Sequence, residues 1–270
     1  VKNREEDMEL DTLLQNNKRW ANGIDAVKPG FFASLTRQQA PQCLWIGCAD
    51  SRVPANELVG LQPGELFVHR NIANVIAHSD LNGLSVLQYA VDMLEVRHII
   101  VVGHSGCGGV RAALTGMRIG IADNWIRHVR DVVDKHSSWL NLLPESSQFD
   151  AACELNVVEQ VRNVCYTTVL QDAWQRGQQV AVHGLTYRLH DGLLKDMALT
   201  VRSPDTVESD YSRSLRLLRN RFESNHSSVC AANEDGCDHT PEIQCDGEDD
   251  LLVGRPRRIK YGVGRTELGS

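Results

Sequence analysis

No stretch of this 270-residue chain stays apolar for the roughly 18 residues that a bilayer-crossing helix requires, which excludes a helical membrane span. No apolar run follows the charged opening VKNREEDMEL, so no secretory leader is expected. A basic excess is missing too. The chain has 28 lysines and arginines against 35 acids, for a formal charge of −7. That balance argues against nucleic acid or an anionic membrane surface as the main partner. Cysteine is sparse for a disulfide-built protein, with eight in the whole chain, and thiols or metal ligands are the expected use. There is no internal repeat, no GK[ST] phosphate loop and no GxGxxG order. The chain opens on Val1 rather than Met. The expected compartment is therefore the cytoplasm, or a mitochondrion or chloroplast if a transit peptide preceded Val1.

What is present is ordinary for a globular chain: 42% apolar and 23% charged residues, enough for one large core. Residues 5–24 carry apolar positions at helical spacing, and Pro29-Gly30 closes them. CLWIGC (43–48), LFVHR (66–70) and HIIVVG (98–103) read as strands, and GLSVLQYAVDMLE (83–95) as a buried helix between them. Strands alternating with helices predict an α/β fold with a mostly parallel central sheet. Residues 123–176 read as mostly helical, with Gly177 as a stop. Two more strands, 180–190 and 193–201, flank Asp191-Gly192, a two-residue hairpin signal. Ser209 through Phe222 reads as a basic amphipathic helix. Residues 223–270 hold ten acids and five bases, so −5 of the net charge lies there. The expected organisation is an N-terminal helical arm (1–30), an α/β body (31–222) and a disordered or peripheral tail (223–270).

Chemistry gathers at two strand ends. Cys48 closes the first strand and ADSR follows it. His104 and Cys107 lie just beyond HIIVVG, in the run GHSGCGG. Open parallel sheets collect ligands at strand carboxyl ends, so these segments are expected to meet in space. Cys48, His104 and Cys107 form a soft S₂N set that favours zinc, and three ligands rather than four leave a position open for catalysis. Asp50 and Arg52 follow Cys48 at steps of two, which in extended chain places all three on one side. A thiol-phosphatase loop would need Arg six residues after Cys48, where Pro54 stands.

CADSRVPANELVGLQPGELFVHRNIAN together with GHSGCGG strongly resembles the β-class carbonic anhydrases, over roughly residues 5–222. The tail departs from that pattern. The resemblance implies one zinc per chain on Cys48, His104 and Cys107, with Asp50 and Arg52 as a catalytic dyad. It implies reversible hydration of carbon dioxide to bicarbonate. On the substrate side it implies Gln39 as an orienting group, with Gly108 beside it and Phe67, Ile72 and Tyr89 as apolar lining. It also implies a homodimer, with dimers pairing into tetramers and the N-terminal helix wrapping a neighbour. Two thiolates offset the metal charge, so alkaline pH should favour activity.

One subgroup of that family carries a non-catalytic bicarbonate pocket, and its residues match Trp45, Arg70 and Tyr187. Bicarbonate there would favour a closed state in which Asp50 leaves Arg52 for the metal. Two rival functions remain from the sequence. One is hydrolysis of carbon disulfide or a related small heterocumulene at the same site. The other is an inactive scaffold built on a structural zinc, against which the intact Asp50–Arg52 pair and Gln39 argue.

Overall fold

The structure, a computed structural model, describes residues 10–36 and 40–234, with side chains through Ser224. Gln39, the start of the expected N-terminal helix and everything beyond Glu234 lie outside the described residues. In chain order, α1 (Leu10–Val27) and α2 (Phe31–Leu35) precede β1 (Cys43–Cys48). Then come α3 (Ala55–Val59), β2 (Leu66–Asn71), α4 (Leu81–Gln88), β3 (His98–His104) and α5 (Gly108–Thr115). Four helices follow: α6 (Ala122–Lys135), α7 (Ser137–Leu140), α8 (Glu145–Cys165) and α9 (Thr168–Gln175). The chain closes with β4 (Ala181–Tyr187), β5 (Leu194–Val201) and α10 (Val207–Glu234).

The five strands form one sheet in the order β2-β1-β3-β4-β5. Only the β4–β5 pair is antiparallel. The α/β fold with a mostly parallel sheet is therefore as the alternation predicts. The main core lies on the face carrying Leu44, Ile46, Ile99 and Val101, against Leu155, Val157, Val158 and Val161 of α8. Gly103 lets α8 approach that face: a Cβ there would lie 2.5 Å from Val157 Cγ2. A smaller cluster of Trp45, Leu66, Val102 and Tyr187, with Ala55 from α3, forms elsewhere on the sheet.

Three details differ from the sequence reading. The 83–95 helix starts at Leu81, and its last turn widens over Tyr89–Met93, where Leu94 N–H reaches back to Tyr89 O. The β4–β5 turn is longer than two residues. Arg188 and Leu193 close it, and Asp191-Gly192 occupies the end of a four-residue loop, with Asp191 Oδ1 accepting from Leu193 N–H. The closing helix runs through residue 222 to Glu234. No described helix is long and apolar enough to cross a membrane.

Candidate metal centre

After β1 the chain adds β2 on one side, then crosses back to place β3 on the other. That reversal makes the β1/β3 junction the topological switch point, where carboxyl ends diverge and leave a crevice. Cys48 is the last residue of β1, His104 the last of β3, and Cys107 immediately precedes α5. Their ligand atoms all lie within 4.8 Å of one another, and all three residues are buried. The Cys48 and Cys107 sulfurs are 3.8 Å apart.

The donor set fits zinc on two counts. First, His104 is committed to one tautomer. Its Nδ1 donates to Ser105 O at 2.9 Å, which leaves the Nε2 lone pair free, and that buried nitrogen has no partner. An unpartnered buried acceptor is costly, and a cation between the three side chains supplies its partner. Second, the Cys48 sulfur is prepared as a thiolate. Its thiol is held down to about 4, foremost by the hydrogen bond from Cys107, against burial, with help from the N–H groups of Asp50 and Ala73. Cys107 is pushed up because it donates in that pair and is buried.

Asp50 reaches the site by a turn, not by extended chain. Ser51 N–H returns to Cys48 O at 3.3 Å, and Arg52 adopts the left-handed region at φ 65°. The step-of-two spacing thus brings the residues together for a different reason from the one the sequence suggests. Asp50 Oδ2 accepts from Gly108 N–H at 3.1 Å, and Oδ1 lies 3.9 Å from Arg52 Nε. A Cβ on Gly108 would sit 3.5 Å from Asp50 Oδ2.

Ile72 lies beside this loop: a Cβ on Gly109 would come within 2.9 Å of Ile72 Cγ2. Phe67 and Tyr89 pair with each other, ring centroids 5.7 Å apart, at the other end of the sheet. Phe67 is level with Leu44 and Asn71 with Cys48. Four residues at roughly 3.3 Å each set Phe67 about 13 Å from the ligand row. Within one chain they are not brought to the metal ligands.

Trp45, Arg70 and Tyr187 fall on one face of the sheet, with Gly47 opposite Arg70 in register. Trp45 and Tyr187 are buried in the smaller cluster. Arg70 donates to Cys48 O at 3.3 Å, Ser51 Oγ at 2.6 Å and Val53 O at 2.7 Å, so it grips the loop that carries Asp50.

Sequence reasoning missed the groups behind the ligands: the Ser105 carbonyl, the Ala73 N–H, and three amides of α8, two of them buried and one half-buried. The available signal was Asn156, Gln160 and Asn163 at i, i+4 and i+7, on one face of a helix whose period was read from its apolar residues alone.

A mostly parallel α/β sheet with a Cys–His–Cys set at its switch point defines a zinc enzyme of the open-coordination kind. A family model described as carbonic anhydrase matches residues 43–194. The carbonic anhydrase of Emericella nidulans is 46% identical over 188 residues, covering 69% of this chain and 82% of that protein. A Coccomyxa beta-carbonic anhydrase in complex with acetazolamide superposes with a TM-score of 0.72 at 37% identity, over 78% of this chain and 98% of that one. A tetrameric beta-carbonic anhydrase of Sordaria macrospora gives 0.66 at 36%, over 71% and 98%. This chain belongs to the carbonic anhydrase family, in its beta class. It is a lyase that interconverts carbon dioxide and bicarbonate, with its zinc site at Cys48, His104 and Cys107.

Proposed function

We propose that Asp50 and Arg52 order the water that attacks carbon dioxide at this centre, and that a second copy of the chain completes the substrate pocket. Zinc bound by the three ligands supplies Lewis acidity, which acidifies water toward neutral pH. The chain's own groups do the rest. Gly108 N–H fixes one Asp50 oxygen and Arg52 faces the other, so the carboxylate has one position from which to accept a hydrogen bond from the attacking water. Ile72 gives the apolar wall that an uncharged, linear substrate needs. Gln39 takes the orienting role through the family resemblance.

The single observation carrying this reading is the convergence of three buried ligand atoms within 4.8 Å, one the unpartnered His104 Nε2, beside an Asp50 held by Gly108. Its test is stopped-flow hydration of carbon dioxide by protein of measured zinc content. Asp50→Asn is expected to lose well over 90% of the rate with zinc retained, since a positioned acid–base group contributes roughly 100- to 10,000-fold. Wild-type rates in that variant would remove Asp50 from the mechanism. Carbon disulfide run in parallel separates the rival substrate.

The dimer is supported by what one chain leaves uncovered. Phe67 and Tyr89 sit about 13 Å from their own ligand row. α1 buries none of its residues and exposes Leu10, Leu13, Leu14 and Trp20. We assign α1 to a neighbouring copy, and Phe67 and Tyr89 to the neighbour's site, in a dimer that pairs further into a tetramer; the Sordaria relative is tetrameric. Co-expressing Cys107→Ala with a Phe67→Ala/Tyr89→Ala chain leaves one complete site per mixed dimer. Activity should return on mixing, and its absence would exclude a shared site.

A second reading concerns regulation, and the Arg70 contacts favour it. Arg70 spends its donors on Cys48 O, Ser51 Oγ and Val53 O, and a cavity of about 470 Å³ opens beside it, lined also by Arg52 and Val53. Bicarbonate taking the Arg70 guanidinium, beside the cluster that buries Trp45 and Tyr187, would compete for those bonds and loosen the Asp50 loop. Inhibition by bicarbonate beyond product competition, relieved in Trp45→Phe and Tyr187→Phe, is the expected result. Equal inhibition in all three proteins would dismiss this pocket.

A further inference from the structure

We infer that Asn156, Gln160 and Asn163 of α8 are positioning residues for the Cys48 sulfur, acting through the backbone of residues 72–76. The inference rests on the zinc centre above and concerns how its first ligand is held.

The segment they hold is strained. Ala73 and Asn74 both adopt the left-handed region, at φ 62° and 47°, without a glycine. Such a turn persists only where its surroundings fix it from several sides. Here the fixing is visible peptide by peptide. The unit joining Ile72 to Ala73 is gripped at both ends: Trp125 Nε1 donates to Ile72 O at 2.8 Å, and Ala73 N–H donates to Cys48 Sγ at 3.2 Å. The next carbonyl, Ala73 O, accepts from Asn156 Nδ2 at 2.8 Å.

Behind Asn156 stands the rest of the ladder. Gln160 Nε2 donates to Asn156 Oδ1 at 3.1 Å, which sets the Asn156 amide with its NH₂ toward Ala73. Gln160 Oε1 accepts from Ile76 N–H at 2.8 Å and from Asn163 Nδ2 at 3.1 Å, and Asn163 Nδ2 also reaches Ile76 O at 3.1 Å. Asn156 and Gln160 are each only 1% exposed. Placing these amides in the core is unfavourable unless each is fully bonded, and each side-chain bond of the ladder either links two amides or ends on residues 73–76. A helix packed only for stability would carry apolar side chains there, as its neighbours Leu155, Val157 and Val161 do.

The consequence is that a rigid helix sets the direction of the Ala73 N–H, and that N–H sets the Cys48 sulfur. Groups that orient a metal ligand from behind typically change metal affinity by roughly 10- to 100-fold when removed. The test compares the full-length chain with Asn156→Leu, Gln160→Met and, as a control for lost packing, Leu170→Ala, which is fully buried in α9. Zinc affinity is read by competition with a chromophoric chelator. The sulfur-to-metal charge-transfer band is read on the cobalt(II)-loaded proteins. Asn156→Leu should weaken zinc roughly 10- to 100-fold and move the band, and Gln160→Met should do the same to a smaller degree. Leu170→Ala should lower the melting temperature with affinity and band unchanged. If Asn156→Leu does not fold, Gln160→Met carries the result. Wild-type affinity and an unmoved band in the folded ladder variants overturn the positioning role while leaving the centre intact. A wild-type chain that takes up no zinc overturns the centre and the ladder together.

Discussion

His104 presents Nε2 to its two cysteine partners because its Nδ1–H donates to Ser105 O, and the Cys48 thiol is drawn toward its thiolate by Cys107 and two backbone N–H groups. Each ligand is thus prepared by a neighbour before a metal arrives. Removing one should therefore empty the centre. Cys107→Ala is expected to lose zinc and all hydratase activity, read by metal analysis and stopped-flow assay; full zinc occupancy in that variant would disprove the ligand assignment. A second residue works far from the site. Burial pushes the Glu159 carboxyl up, but bonds from His136, Lys135 and Tyr211 overcome this and hold it at about 2, against its usual 4.5. A depressed carboxylate contributes stability that is complete above the unfolded value and fades as pH falls through the folded one. A fall of this size is worth about 3 kcal/mol. Chemical denaturation should therefore show stability declining between about pH 4.5 and 2, and Glu159→Gln should be less stable at pH 7 and shallower across that window. An unchanged acid slope would show that the burden lies on other carboxylates. At this scale the sequence was most legible where chemistry is unusual. Cys48, His104 and Cys107 stand out by type and spacing, whereas Asn156 and Gln160 look like ordinary helix residues until their bonds are seen.

Among the elements, the strands read cleanly because β1 and β3 are short, apolar and bounded by turn residues. The helix–sheet contact was not legible, because it depends on which residue lacks a side chain at the crossing. In the sequence Gly103 is only the first glycine of the run GHSGCGG. In the fold it is also the point where α8 rests on β3. Gly103→Ala would drive a methyl to 2.5 Å from Val157 Cγ2, and overpacking of this kind costs about 1–3 kcal/mol. A lowered urea midpoint with an unchanged slope is the expected observation; wild-type stability would mean α8 can shift freely. The hairpin shows the opposite error. Asp191-Gly192 marks a turn, but loop length is set where β4 and β5 stop pairing, at Tyr187 and Leu194, and not by the dipeptide itself.

For the whole molecule, the expected boundary at 222 falls inside α10, since composition changes there while the helix continues. Glu223 is part of the fold: it accepts from Trp139 Nε1 at 3.0 Å, and Arg221 two residues before it pairs with Glu154, which Lys195 also holds at 2.5 Å. We predict that a chain ending at Glu234 keeps wild-type hydratase activity. One ending at Phe222 should stay active but lose about 1 kcal/mol, measured by thermal unfolding, through the lost Glu223 bond. A large loss of activity in the chain ending at Glu234 would place a catalytic role in residues 235–270.

The sequence by itself determined the class of chemistry and the mostly parallel α/β architecture. Ligand type, glycine-rich loops and apolar strand runs are local properties, and the parallel alternation of strands and helices leaves few ways to arrange them. Only the tertiary structure decided how Cys48 meets Cys107 across 59 residues, which way Asp50 turns, and that Phe67 and Tyr89 stay away from their own ligands. The physical reason is the same in each case. Those relations depend on backbone turns and on packing across the sheet, where a residue's neighbours in space are not its neighbours in the chain.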